Sequence, residues 1–162
     1  MLIIHDLTEK YPDFPKDATI VGNDSPIKKC IGCFGCWVKT PGKCVINDNY
    51  QNMGAKAGAT DRLIIISKCT FGSYSSFVKN VLDRSISYVL PYFEIRNGEM
   101  HHASRYENKM KIRAYFYGEN LTKDEKSTVK SLVDANAMNF NSEVKEVVFV
   151  DRAEQLKEVI KW

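Results

Sequence analysis

The sequence has no apolar run near the roughly 20 residues needed to span a bilayer, which excludes an ordinary transmembrane helix. The apolar start, Met1 to Ile4, is too short for a secretory signal, and Asp6 and Glu9 follow at once. The expected location is therefore cytoplasmic, with no membrane partner. Charge of one sign is also scarce. The formal net charge is only +3, with lysines and acids interspersed, so nothing points to nucleic acid. There is no Gly-x-Gly-x-x-Gly nucleotide fingerprint, no internal repeat and no linker. With 3 histidines in 162 residues, a histidine-based metal centre has little to draw on.

What is present fits one domain, residues 1–162. A 44% hydrophobic content suffices for a core. Leu2–Ile4 and Ala18–Val21 read as short strands. The segment between them holds Pro12 and Pro15 and leaves no room for a full helix. Leu63–Ile66 is unbroken and β-branched, as a central parallel strand buried on both faces should be. Ser75 or Ser76 is expected to cap a helix carrying Val78, Val81, Leu82, Ser85 and Val89, stopped by Pro91. Asn97-Gly98 predicts a two-residue hairpin turn within Tyr92–His102, an excursion from the main sheet. Ile112–Tyr117 and Val144–Val150 are two further strands. A capping box at Thr122–Glu125 opens the helix between them. Asp48 is expected to cap a short helix through Tyr50, Met53 and Ala57, and Asp151 with Glu154 to cap the last one. Strand and helix alternate, which predicts an α/β doubly wound parallel sheet. Ligands of such sheets sit beyond the carboxyl ends of the strands.

Two segments carry candidate chemistry. The first is Cys30-x2-Cys33-x2-Cys36-x7-Cys44, with Gly32, Gly35 and Gly42 between the thiols. Reduced cytoplasmic thiols in this pattern read as metal-binding or catalytic. Three fillings stay open: bare thiols with a redox-reactive pair, a [4Fe–4S] cluster, or a closed zinc site. The second is the loop Cys69-Thr70-Phe71-Gly72-Ser73-Tyr74, after the central strand and before a helix N-terminus. It offers hydroxyls, aromatic faces and free N–H donors. An ordinary strand-to-helix turn would look the same. Lys79, Asp83 and Arg84 share one helix, Lys79 and Asp83 as an exposed i,i+4 pair. His101 and His102 read as surface or subunit-contact residues.

Together, CIGCFGCWVKTPGKCVIND and KCTFGSYSSFVKNVLDRS resemble the flavodoxin-like NAD(P)H-dependent FMN reductases, and within them the branch that includes the iron–sulfur flavoproteins. The resemblance implies a flavodoxin-like five-stranded sheet in the order 2-1-3-4-5. It implies FMN as cofactor, NAD(P)H or a redox protein as electron donor, and a homodimer or homotetramer; the apolar-aromatic hairpin Tyr92–His102 is the candidate contact, since such an excursion off a small domain often packs on a partner. It places the flavin ring against Cys69, Thr70, Phe71, Gly72, Ser73 and Tyr74. It assigns a [4Fe–4S] cluster to Cys30, Cys33, Cys36 and Cys44, across which electrons would pass to the flavin. The sequence departs from the family after the first strand. A Gly- and Ser-rich phosphate loop and a long helix are usual there, but this chain has His5-Asp6-Leu7-Thr8-Glu9-Lys10 and a truncated first helix. Only Thr8 and Lys10 could assist a phosphate. The alternative is a flavin-free binding or regulatory protein whose cysteines sense redox state or metal.

Overall fold

Leu63 and Ile65 pack into one core and Ile64 and Ile66 into another, because successive side chains of a strand point to opposite faces. A computed structural model, which describes residues 1–8 and 14–162, shows this strand at the centre of the sheet. In chain order the elements are β1 (Leu2–His5), β2 (Thr19–Val21), α1 (Gly35–Val38), α2 (Met53–Gly58), β3 (Arg62–Lys68) and α3 (Ser76–Arg84). They continue with β4 (Val89–Arg96), β5 (Glu99–Ser104), β6 (Lys111–Tyr117), α4 (Lys123–Asn139), β7 (Glu143–Val150) and α5 (Leu156–Val159). Five strands form one parallel sheet, ordered β2-β1-β3-β6-β7. Counting main-sheet strands alone, this is the expected 2-1-3-4-5 order. β4 and β5 form a separate antiparallel hairpin.

The two faces are unequal. On one, α3 and α4 bury Val78, Val81, Val129, Val133 and Ala137 against the sheet. On the other, among the described residues, the buried cluster is the smaller set Ile3, Leu7, Ile64, Ile66, Tyr115 and Leu156, with Phe14 and Trp162 packed on it. The short α5 supplies Leu156 and Val159 to this face, and the Phe14 and Trp162 rings meet edge to face at 5.6 Å. β1 and β2 still pair in parallel, Leu2 opposite Thr19. Lys10 lies outside the described residues.

Ser75 caps α3 as expected, its hydroxyl accepting from the Val78 N–H. Thr122 and Glu125 form the capping box of α4. Three local expectations are corrected. Pro91 does not stop α3, which ends at Arg84. Val89 and Pro91 belong to β4, where the hairpin register shifts between Val89 and Phe93, a place that tolerates a residue without an N–H. Asp48 does not cap α2, whose N-cap is Asn52, because its carboxylate is bound elsewhere. Asp151 does not cap the last helix; the Gln155 side chain accepts from the Arg152 N–H instead. The hairpin turn is as expected, with φ of 51° at Asn97 and 82° at Gly98. Among the described residues no helix is long and apolar enough to cross a membrane.

Candidate functional site

α3 connects two candidate sites. Its N-terminus follows the loop at the carboxyl edge of the sheet, and its C-terminus reaches the cysteine segment. Nine residues of helix span roughly 13 Å.

The cysteine segment is a string of tight turns. Gly32, Phe34 and Gly42 all have positive φ, at 63°, 56° and 86°. Gly35 opens α1 against Val45, where a Cβ would meet Cγ1 at 2.6 Å. One guanidinium fastens both ends of the segment. Arg84, 1% exposed, donates from Nη1 to the Lys28 carbonyl (2.8 Å) and to Asp48 Oδ2 (2.8 Å). From Nη2 it donates to Asp48 Oδ1 (2.8 Å) and the Ile46 carbonyl (3.3 Å). The bidentate pair holds the Asp48 carboxyl below the usual carboxylate range, helped by the N–H groups of Lys28 and Tyr50. Trp37 adds a third tether, its indole N–H donating to the Val89 carbonyl at 2.9 Å.

The four thiols line one cavity of about 550 Å³. Cys30 and Cys33 are exposed, Cys36 is half-buried and Cys44 is buried. Burial, and then the neighbouring thiols of Cys44 and Cys30, push the Cys36 thiol up. The four thiols share this cavity, but they stop short of a coordination sphere. Among the described residues, no three His, Cys, Asp or Glu side chains stand where they could hold a metal ion. The cavity wall is aromatic. Phe34 stacks on Trp37 at 5.6 Å, and His102 lies between Trp37 (4.8 Å) and Phe93 (4.7 Å). His102 is thus part of the cavity wall rather than free surface.

The second site is a more open cleft of about 820 Å³ at the carboxyl ends of β3, β6 and β7, lined by Cys69, Thr70 and Phe71 among others. Thr70 and Ser73 exchange backbone hydrogen bonds of 2.9 and 3.0 Å around a two-residue turn. Its central residues, Phe71 and Gly72, both have positive φ (51° and 72°). A left-handed phenylalanine is uncommon, and this one is 94% exposed. Gly72 presses on α4, where a Cβ would meet Thr128 Cβ at 3.1 Å. Cys69 is buried, and burial pushes its thiol up. Tyr74 turns into the core, 4% exposed, over Phe116 at 5.4 Å; burial pushes its hydroxyl to about 12.

The neighbouring β1 loop tests the fit of an FMN phosphate. Both Asp6 carboxylate oxygens accept from the Lys68 N–H (3.2 and 2.9 Å), and Oδ1 also accepts from the Tyr117 hydroxyl at 3.1 Å. An internal carboxylate therefore takes strand-end donors that an anion would use. Thr8 is exposed, in a bend. The cleft itself carries four carboxylates, Glu119, Glu125, Asp151 and Glu154, against Lys68 and Arg152. The described residues offer an exposed aromatic face at Phe71 and do not fit a dianionic phosphate.

Similar solved structures place this architecture. A structure titled as the Trp repressor binding protein from Bacillus subtilis matches with a TM-score of 0.54 and 12% identity, covering 97% of this chain and 90% of that one. The azoreductase AzrA matches with a TM-score of 0.58 and 8% identity, covering 97% and 89%. The fold is flavodoxin-like. At these identities the likeness concerns the fold alone. No family model matches the sequence, and no curated protein matches it either. Within the flavodoxin-like frame, the loop after the central strand sits at the carboxyl edge as expected. The structure brings Cys69, Thr70 and Phe71 to the cleft and the four other cysteines to the far end of α3. Sequence reasoning missed the roles of Arg84, Asp48 and His102. A signal for Arg84 was present: it follows Val78 and Val81 at three-residue steps, on the buried stripe of α3.

Proposed function

We propose that the chain is a flavodoxin-like oxidoreductase that takes a flavin ring in the carboxyl-edge cleft, reduced by NADH, NADPH or a redox protein. The observation that carries this reading is the turn Thr70–Ser73, which holds an exposed Phe71 in left-handed geometry beside the cleft. Left-handed backbone at a non-glycine residue costs free energy and tends to mark ligand sites. An aromatic face there gives a flat heterocycle something to stack on. That a similar solved structure is titled an azoreductase supports reductase chemistry on this fold.

A bound flavin would supply electron or hydride chemistry; the chain's own part is to orient the ring and exclude water. The phosphate contributes little in this reading, since Asp6 and the cleft carboxylates face it. The test is a titration of protein with riboflavin and with FMN, followed by flavin fluorescence. Riboflavin should bind at least as tightly as FMN, and Phe71→Ala should weaken it by about two- to tenfold. Tight FMN binding with negligible riboflavin binding would refute the described fit. If neither flavin binds, the flavin reading fails.

A second reading is favoured by the closed Asp6 position: a flavin-free protein whose clustered thiols respond to redox state or metal. Iron and zinc assays on anaerobically purified protein separate its forms. Iron at cluster stoichiometry requires the exposed Cys30 and Cys33 to close over the cavity.

A further inference from the structure

The cysteine cavity has features that a thiol cluster does not need. Its volume, about 550 Å³, is that of a small-molecule pocket. One wall is the ring series Phe34, Trp37 and His102, and Phe140 contributes at the C-terminal end of α4. Two polar atoms of lining residues are buried with no hydrogen-bond partner, Arg84 Nε and His102 Nδ1. Buried polar atoms are almost always paired, and an unpaired one calls for an explanation. Arg84 has all its other donors engaged and its charge matched by Asp48. The guanidinium also meets the Cys44 thiol, but sulfur is a weak acceptor, and a neutral oxygen would serve Nε better.

We propose that this cavity binds a small, flat, uncharged aromatic compound carrying a carbonyl oxygen. The ring lies along the Trp37–His102 wall, with the sulfurs of Cys30, Cys33 and Cys36 around it, soft polarizable contacts for an aromatic edge. The carbonyl accepts from Arg84 Nε. The site is separate from the proposed flavin cleft, since the two lie at opposite ends of α3, and it holds whether or not a flavin binds. No bond is made to the thiols in the binding step.

The test uses three probes with one ring system: 2-naphthamide, 2-naphthoate and naphthalene. Calorimetry reads affinity, and indole fluorescence reports on Trp37; the second tryptophan, Trp162, packs on Phe14 over the other core. The expected result is saturable 1:1 binding of 2-naphthamide with quenching, about fivefold tighter than naphthalene for the one added hydrogen bond, and no tighter binding of the naphthoate. Asn139 is exposed at the cavity rim, so Asn139→Phe should fold normally and weaken 2-naphthamide by tenfold or more. Added riboflavin should not compete. Absence of saturable binding overturns the proposal. So does binding that Asn139→Phe leaves unchanged or that riboflavin displaces, because the probe then sits elsewhere. Naphthalene binding as tightly as the amide removes the role given to Arg84.

Discussion

Replacing Arg84 by methionine should cost more than any other single change near the cysteine segment. Methionine fills much of the same volume and donates nothing. The Asp48 carboxylate, 9% exposed, would keep only the N–H groups of Lys28 (3.2 Å) and Tyr50 (3.0 Å). The carbonyls of Lys28 and Ile46 would lose their guanidinium donor. Breaking a buried ion pair by deleting one partner costs about 3–5 kcal/mol, against a total stability of about 5–15 kcal/mol for a domain. With a urea m-value of about 2 kcal/mol/M, the unfolding midpoint should fall by about 1.5–2.5 M. Arg84→Met with Asp48→Asn should recover at least about 1 kcal/mol of the loss, since no buried charge is then stranded. The pH dependence has a definite sign. The folded Asp48 carboxyl sits below its unfolded value of about 4. Its contribution is therefore present above that value and lost as pH falls through the lower folded one. Arg84→Met should flatten this acid limb. Thiol titration gives a local readout: Cys44, buried in the wild type, should join the exposed Cys30 and Cys33 among the fast-reacting groups. A loss below about 1 kcal/mol, with Cys44 still protected, would refute the claim that one guanidinium straps the segment down.

Gly54→Ala should destabilise although alanine favours helix by about 1 kcal/mol. A Cβ there would meet the backbone of Ser87 and Tyr88 at 2.8 Å, an overpacking cost of about 1–3 kcal/mol, and a raised unfolding midpoint would show that the two segments separate freely. The β4–β5 hairpin exposes Tyr92, Phe93, Ile95 and Met100, and we propose it as the contact of a homodimer or homotetramer. Ile95→Glu with Met100→Glu should then move the protein to the monomer volume on a sizing column, and an unchanged volume at an oligomeric mass would rule the hairpin out.

The fold was legible because its strands carry their burial in their composition. Leu63–Ile66 could be buried on both faces or nowhere, and the Asn97-Gly98 turn and the Thr122 capping box are set by neighbours in sequence. The errors fell where distant partners decide. Asp48 has the chemistry of an N-cap, but a guanidinium 36 residues away binds it more strongly. Pro91 has the chemistry of a helix stop, but α3 had already ended where Arg84 meets the cysteine segment. The cysteines were visible as a cluster; that they line an aromatic-walled cavity depends on His102, which the hairpin brings over Trp37.

Asp6 shows how one residue can redirect a fold's ligand chemistry. The carboxyl edge of a parallel sheet gathers strand-end N–H groups and helix N-termini, so it attracts anions. This chain meets that demand from within, one carboxylate accepting from the Lys68 N–H and the Tyr117 hydroxyl. Tyr117 registers the cost, its hydroxyl pushed well up by burial and then by the Asp6 charge. A negative group already fixed at the edge repels a second one, and the four carboxylates of the cleft act in the same sense. In the proposed reading, the binding part of the edge is its neutral part: the aromatic tip at Phe71 and the backbone around it. A ligand held there must be recognised by its ring rather than its phosphate, which is why the contrast between riboflavin and FMN bears directly on function.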